Sequence, residues 1–168
     1  MAELDVMVLM GSASDRSFAD KTMAVLDGFG LVSRVHVSSA HRTPERTIRL
    51  VREAEESGCK VFICLAGMAA HLAGVVAAHT VRPVLGVPLP GGLQEGTDAL
   101  MSTVQMPSGI PVACFAVGSA GAKNAAFFAA QVVSGVKDTV RQKLLEARAA
   151  DAEKIEFADR ELQSAHRG

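Results

Sequence analysis

The stretch VMVLMGSASD, residues 6–15, decides how the rest of the chain is read. Val6 to Met10 is an apolar run without alternation, the pattern of a strand covered on both faces in a parallel sheet. Gly11 ends it. From Asp15 onward Phe18, Thr22, Leu26 and Phe29 recur at helical spacing, with Ser14 or Asp15 placed to cap the start and Gly28 and Gly30 to mark the end. The same unit then repeats. Leu31 to Val37 reads as a second strand, and Pro44 to Ser57 as a helix with Thr43 as N-cap and Ile48, Val51 and Ala54 turned inward. Val61 to Leu65 is a third strand, Met68 to His79 an alanine-rich helix, Pro83 to Val87 a fourth strand and Glu95 to Thr103 a shorter helix. Pro111 to Val117 supplies a fifth strand, and Ala120 to Val133 a helix so poor in charge that burial nearly all round is expected. Strands alternating with helices predict an α/β fold, an open parallel five-stranded sheet with helices on both faces and right-handed crossovers.

The 168 residues amount to one domain. The reading is a single α/β catalytic domain over residues 1–136 and a helical tail over 137–168. The tail carries Val140, Leu144, Leu145, Ile155 and Phe157 on an otherwise polar helix too long to pack wholly on so small a domain, and reads either as an oligomer contact or as a frayed end. With 49% apolar residues the core needs no metal or disulfide staple. Seventeen Lys and Arg against eighteen Asp and Glu leave a net charge of -1, without the cationic field that attracts nucleic acid. Cys59, Cys64 and Cys114 match no zinc spacing and read as reduced thiols. The chain opens without a secretory pattern, and its uncharged runs, 61–81 and 99–122, are broken by Gly and His or by Pro107, Gly109 and Pro111. A cytoplasmic protein with no membrane span is expected.

Ligands of such sheets bind at the carboxyl ends of the strands, where strand order reverses. Three loops there carry chemistry. In GSASD, residues 11–15, Gly11 permits a close turn, Ser12, Ser14 and helix-start amides offer donors to an anion, and Asp15 can hold a ribose hydroxyl. In SSAHRTP, residues 38–44, His41 is the candidate general acid/base, histidine being the side chain that titrates near neutrality, and Arg42 a phosphate or carboxylate clamp. In AGMAAHLAG, residues 66–74, small residues allow close backbone approach, while His71, inside the expected helix, reads as a buried hydrogen-bonded histidine. GVPLPGGLQ, 86–94, reads as a lid or rim, and STVQMPSGIPV, 102–112, as a pocket wall. There is no Walker A, HExxH or G-x-S-x-G sequence. The residues support a pocket for a small phosphorylated ligand with one histidine carrying protons; a flavin carrier would want aromatic residues to stack, and the chain has neither Trp nor Tyr.

At these loops the sequence resembles the 5-(carboxyamino)imidazole ribonucleotide mutases of de novo purine synthesis, also called the catalytic subunit of phosphoribosylaminoimidazole carboxylase. The likeness rests on MGSASD at 10–15, SAHRTP at 39–44, AAHLAG at 69–74, PVLGVP at 83–88, VQMPSGIPV at 104–112 and AGAKNAA at 120–126. It implies a three-layer flavodoxin-like sandwich, a homo-octamer whose C-terminal helix reaches another subunit, and no metal or organic cofactor. It also implies transfer of a carboxylate from the exocyclic amine to the ring carbon of aminoimidazole ribonucleotide, through carbon dioxide trapped in the pocket. His41 is then the acid/base, and Gly11, Ser12, Asp15, Ser39, Ala40, Arg42, Gly67, Met68, Ala69, His71 and Leu72 the substrate-binding set. Two positions depart from the family pattern AGGAAHLPG: Met68 replaces its second glycine and Ala73 its proline. Direct carboxylation by a second branch of the family, and a non-catalytic nucleotide-binding module, are the alternative readings.

Overall fold

A computed structural model describes residues 3–166. In chain order the elements are β1 (Val6–Met10), a 3-10 turn (Ala13–Asp15), α1 (Arg16–Phe29), β2 (Ser33–Val37), α2 (Pro44–Glu56), β3 (Val61–Gly67) and α3 (Leu72–Ala77). They continue with β4 (Val84–Leu89), a second 3-10 turn (Leu93–Glu95), α4 (Thr97–Val104), β5 (Ala113–Cys114), α5 (Ser119–Ser134) and α6 (Asp138–Ala165). All strand pairs are parallel, in the order β2-β1-β3-β4-β5. This is the flavodoxin-like order, and its reversal lies between β1 and β3.

The pleat sorts alternate residues into two cores. Val6, Val8, Ile63, Leu65, Leu85 and Val87 face α1, α5 and the start of α6. Met7, Leu9, Phe62 and Cys64 face α2 and α3 on the other side. β1 and β4 are buried throughout, as an unalternating apolar run requires, whereas the edge strand β2 has no fully buried residue.

Several boundaries differ from expectation, each for a local reason. β2 starts at Ser33 because Gly30, at φ 73°, and Leu31, whose N–H reaches the Leu26 carbonyl, finish the cap of α1. β5 shrinks to Ala113–Cys114: Pro111 has no N–H to give the ladder. α4 begins after Gly96, at φ 106°. The inward residues of α2 are Thr47, Leu50, Val51 and Ala54, with Ile48 only half-buried; the Thr47 hydroxyl is satisfied by Ser38 at 2.8 Å. α5 is two-faced rather than buried all round, with Ala122, Ala125, Ala126, Ala129 and Ala130 inward and Lys123, Asn124 and Phe128 outward. Short alanine side chains let it lie close to the sheet and α1.

α6 occupies residues Asp138–Ala165 at the end of the described chain. Val140 and Leu144 are buried against the domain, but every described residue from Arg148 to His166 is exposed, Ile155, Phe157 and Leu162 included. Cys59 and Cys64 are buried, Cys114 half-buried, and all three are free. Burial pushes the Cys59 thiol up to about 11 and raises that of Cys64 as well, which makes both poor nucleophiles. Among the described residues no helix is long and apolar enough to cross a membrane.

Candidate active site

The carboxyl ends of β1, β2, β3 and β4 open onto one cavity of about 580 Å³. The parallel register puts Met10 beside both Val37 and Leu65, so the three loops that follow must meet. Gly11 extends this contact, its N–H donating to the Leu65 carbonyl at 3.0 Å.

The first loop is a capping box. The Ser12 hydroxyl accepts from the Ser14 N–H at 3.3 Å, while the Asp15 carboxylate accepts from the Ser12 N–H at 3.0 Å and from the Ser14 hydroxyl at 3.3 Å. Ser12 caps the 3-10 turn, while Asp15 stands at the N-cap of α1 without a side-chain cap bond to it. Burial raises the Asp15 carboxyl, opposed by the two donors from Ser12 and Ser14.

The second loop is tied to itself. The Ser39 N–H donates to the Thr43 hydroxyl at 3.1 Å, the Thr43 N–H to the Ser39 carbonyl at 2.8 Å, and the Arg42 N–H to the Ser39 hydroxyl at 3.3 Å. Thr43 stands at the N-cap of α2, yet its side chain closes this loop instead of capping the helix. The closed loop leaves His41 and Arg42 exposed to the cavity they line.

The third loop overturns an expectation. β3 runs to Gly67, Met68 takes a left-handed backbone at φ 55°, and the helix starts only at Leu72. His71 is thereby the N-cap residue, exposed rather than buried in a helix, and its Nδ1 lies 2.9 Å from Nε2 of His41. The rings meet edge to face, centroids 5.0 Å apart. His79 is exposed too, its Nδ1 2.8 Å from the Val75 carbonyl.

Of the sequence-derived residues, Gly11, Ser12, Asp15, Ser39, Ala40, His41, Arg42, Gly67, Met68, Ala69 and Leu72 line the cavity, and His71 reaches it through His41. Ser14, Ala66, Pro90, Gly91 and Gly92 line it as well. The last three come from the Pro- and Gly-rich segment after β4, and its composition was the signal for them. The 102–112 segment lies elsewhere: Gly109, Ile110 and Pro111 line a second groove, about 880 Å³, beside Pro83 and Val84 at the amino end of β4. That groove holds none of the loop chemistry. Among the described residues His41 and His71 have no third His, Cys, Asp or Glu converging on them as a metal-ligand set.

Fold and site together define a parallel α/β protein with a cavity of small-molecule size at its topological switch point, bearing a histidine pair, one guanidinium and one carboxylate. The chain belongs to the AIR carboxylase family, whose sequence model matches residues 5–154. It is 45% identical to the N5-carboxyaminoimidazole ribonucleotide mutase of Haemophilus influenzae over 139 residues, 83% of this chain and 85% of that one. It is 45% identical to the protein of the same name from Pseudomonas aeruginosa over 150 residues, 89% of this chain and 92% of that one. The crystal structure of Treponema denticola PurE superposes with a TM-score of 0.85 at 31% identity, covering 94% of this chain and 97% of that one.

Proposed function

We propose that this chain is an isomerase of purine biosynthesis, converting 5-(carboxyamino)imidazole ribonucleotide to 4-carboxy-5-aminoimidazole ribonucleotide, with His41 as its acid/base. The observation that carries this reading is the convergence of the three loops on one cavity with His41 exposed in it, in a chain whose relatives bear the mutase name. His41 gives a proton to the exocyclic nitrogen as its bond to the carboxylate carbon breaks. Carbon dioxide stays in the pocket, the ring carbon bonds to it, and His41 takes back the proton that carbon carried. One imidazole serves both steps because it ends as it began. Retaining carbon dioxide beside the ring replaces a dilute encounter by a high effective concentration.

Ser12, Asp15 and Arg42 hold the nucleotide: the guanidinium suits its phosphate and the carboxylate its ribose hydroxyls. In this reading the small-residue loop Gly67 to His71 lies beside the carboxylate or trapped carbon dioxide. The active assembly is a homo-octamer in the cytoplasm, with α6 as a contact between subunits. Two parallel assays test the reaction, one with fresh 5-(carboxyamino)imidazole ribonucleotide and one with aminoimidazole ribonucleotide plus bicarbonate. Rapid product formation from the carboxyamino compound alone is expected. Efficient use of the second mixture would establish direct carboxylation, and no product from either would leave a binding module. His41→Asn is expected to abolish turnover while nucleotide still binds; turnover at the wild-type rate would remove His41 from the chemistry.

A further inference from the structure

The proton steps assigned to His41 need one ring nitrogen to face the substrate in a defined state, and the loop carrying it offers nothing that selects one. Its own hydrogen bonds run among Ser39, Arg42 and Thr43 and bypass the imidazole. The single hydrogen bond of the His41 ring among the described residues joins its Nε2 and Nδ1 of His71, thirty positions away on the adjoining loop.

We propose that His71 is a positioning residue that locks the tautomer of His41, leaving His41 Nδ1 as the nitrogen that exchanges protons with the substrate; this rests on the mutase reading above. A neutral pair has two arrangements. In one, His41 Nε2–H donates to His71 Nδ1 and both rings carry their proton on Nε2. In the other, His71 Nδ1–H donates to His41 Nε2 and both carry it on Nδ1. Neutral imidazole side chains intrinsically prefer the proton on Nε2, so the first arrangement satisfies both rings and the second neither. The bond therefore selects a His41 whose Nδ1 has a free lone pair.

Proton bookkeeping closes on this geometry. With one extra proton, His41 is an imidazolium carrying N–H at both nitrogens. Its Nδ1–H goes to the departing substrate nitrogen, and the neutral ring that remains keeps Nε2–H on His71. The same Nδ1 lone pair then takes the proton from the ring carbon and restores the imidazolium. His71 gains and loses no proton and touches no reacting atom; it is the acceptor that keeps Nε2–H occupied throughout. The shape of the third loop makes this possible. Met68 at φ 55° ends the strand geometry, and the delayed helix start leaves His71 exposed at the N-cap instead of buried on an inner face.

Solid-state 15N spectra of 15N-histidine-labelled protein, assigned with His41→Asn and His71→Leu, read the tautomer without any substrate. Neutral His41 is expected to be protonated at Nε2 in the wild type, with the hydrogen-bonded signature absent in His71→Leu. Turnover of the carboxyamino nucleotide is the second arm. His71→Leu should lower kcat by about ten- to a hundredfold with KM little changed, the range seen when the hydrogen-bond partner that orients a metal-ligating histidine is removed. His71→Asn, whose amide oxygen can stand where Nδ1 stood, should recover most of it. Protonation of neutral wild-type His41 at Nδ1, wild-type kcat in His71→Leu, or an Asn variant as poor as the Leu variant would overturn the assignment. An inactive wild type that still shows the Nε2–H tautomer would sink the mutase reading and leave the lock standing.

Discussion

Lys137 Nζ lies 2.6 Å from the carboxylate of Asp5, a side chain wholly removed from solvent just before β1. The contact crosses 132 positions and joins the start of the sheet to the junction of α5 and α6. Lys60 adds a second cation at 3.4 Å, and the Val32 N–H donates at 3.0 Å. A buried carboxylate is tolerable only with such partners.

Asp5→Asn keeps the Val32 bond but leaves two lysines beside a neutral group, and should destabilise the fold by about 3 kcal/mol at neutral pH. The effect is pH-dependent. Burial pushes the Asp5 carboxyl up, but Lys137, the Val32 amide and Lys60 outweigh it and hold the group below its ordinary value of 3.8. Its stabilisation is therefore complete above that value and is lost as pH falls through the folded-state one. Urea denaturation of both proteins across the acid range should show the difference shrinking toward low pH; a gap that stays constant would mean the charge is not its source.

Asp15 sits in the cavity with a carboxyl raised by burial, so it takes up a proton at a higher pH than an exposed aspartate does. If the carboxylate holds the ribose hydroxyls, wild-type KM rises as pH falls through that raised value. Asp15→Asn should show a KM about tenfold higher, the order expected for losing a charge-assisted hydrogen bond, and nearly flat over the same range. Parallel KM curves for the two proteins would place the nucleotide elsewhere.

Met68 holds φ at 55° and is 65% exposed. A left-handed backbone costs a non-glycine residue about 1 kcal/mol, and the exposed thioether returns little of it by packing. Thermal unfolding of Met68→Gly should give a midpoint equal to or above the wild type, despite the deleted side chain. A fall of several degrees would show that the thioether is packed after all.

The outer part of α6 places Ile155 and Leu162, 73% and 56% exposed, seven residues apart on one stripe. Replacing both by glutamate should leave the far-ultraviolet spectrum intact and lower the mass measured by light scattering on a sizing column. An unchanged mass would remove this stripe from the proposed subunit contact.

Much of this architecture is legible in the chain. The unalternating runs around Val8, Ile63 and Val87 require strands buried on both sides, and glycine or polar residues at their ends place the loops. The site residues of the first two loops follow, because any ligand of such a sheet meets the carboxyl ends of β1 and β2. The errors cluster where periodicity is a poor guide. Alanine-rich sequence from Met68 to His79 looks helical throughout, but a left-handed Met68 delays α3 to Leu72. Low charge in α5 looks like complete burial, but alanine is equally at home on the inner face of a helix that still shows solvent Lys123 and Phe128.

The sequence by itself determined the order of elements, the parallel sheet and the loops that line the cavity, because hydrophobic period and turn residues report the environment of each segment along the chain. Only the tertiary structure decided which side chains meet: His41 with His71, Asp5 with Lys60 and Lys137, and the Pro90–Gly92 rim with the first three loops. Those pairs depend on strand order and on where each helix begins. A residue's own neighbourhood in sequence carries no record of a partner brought beside it by the winding of the sheet.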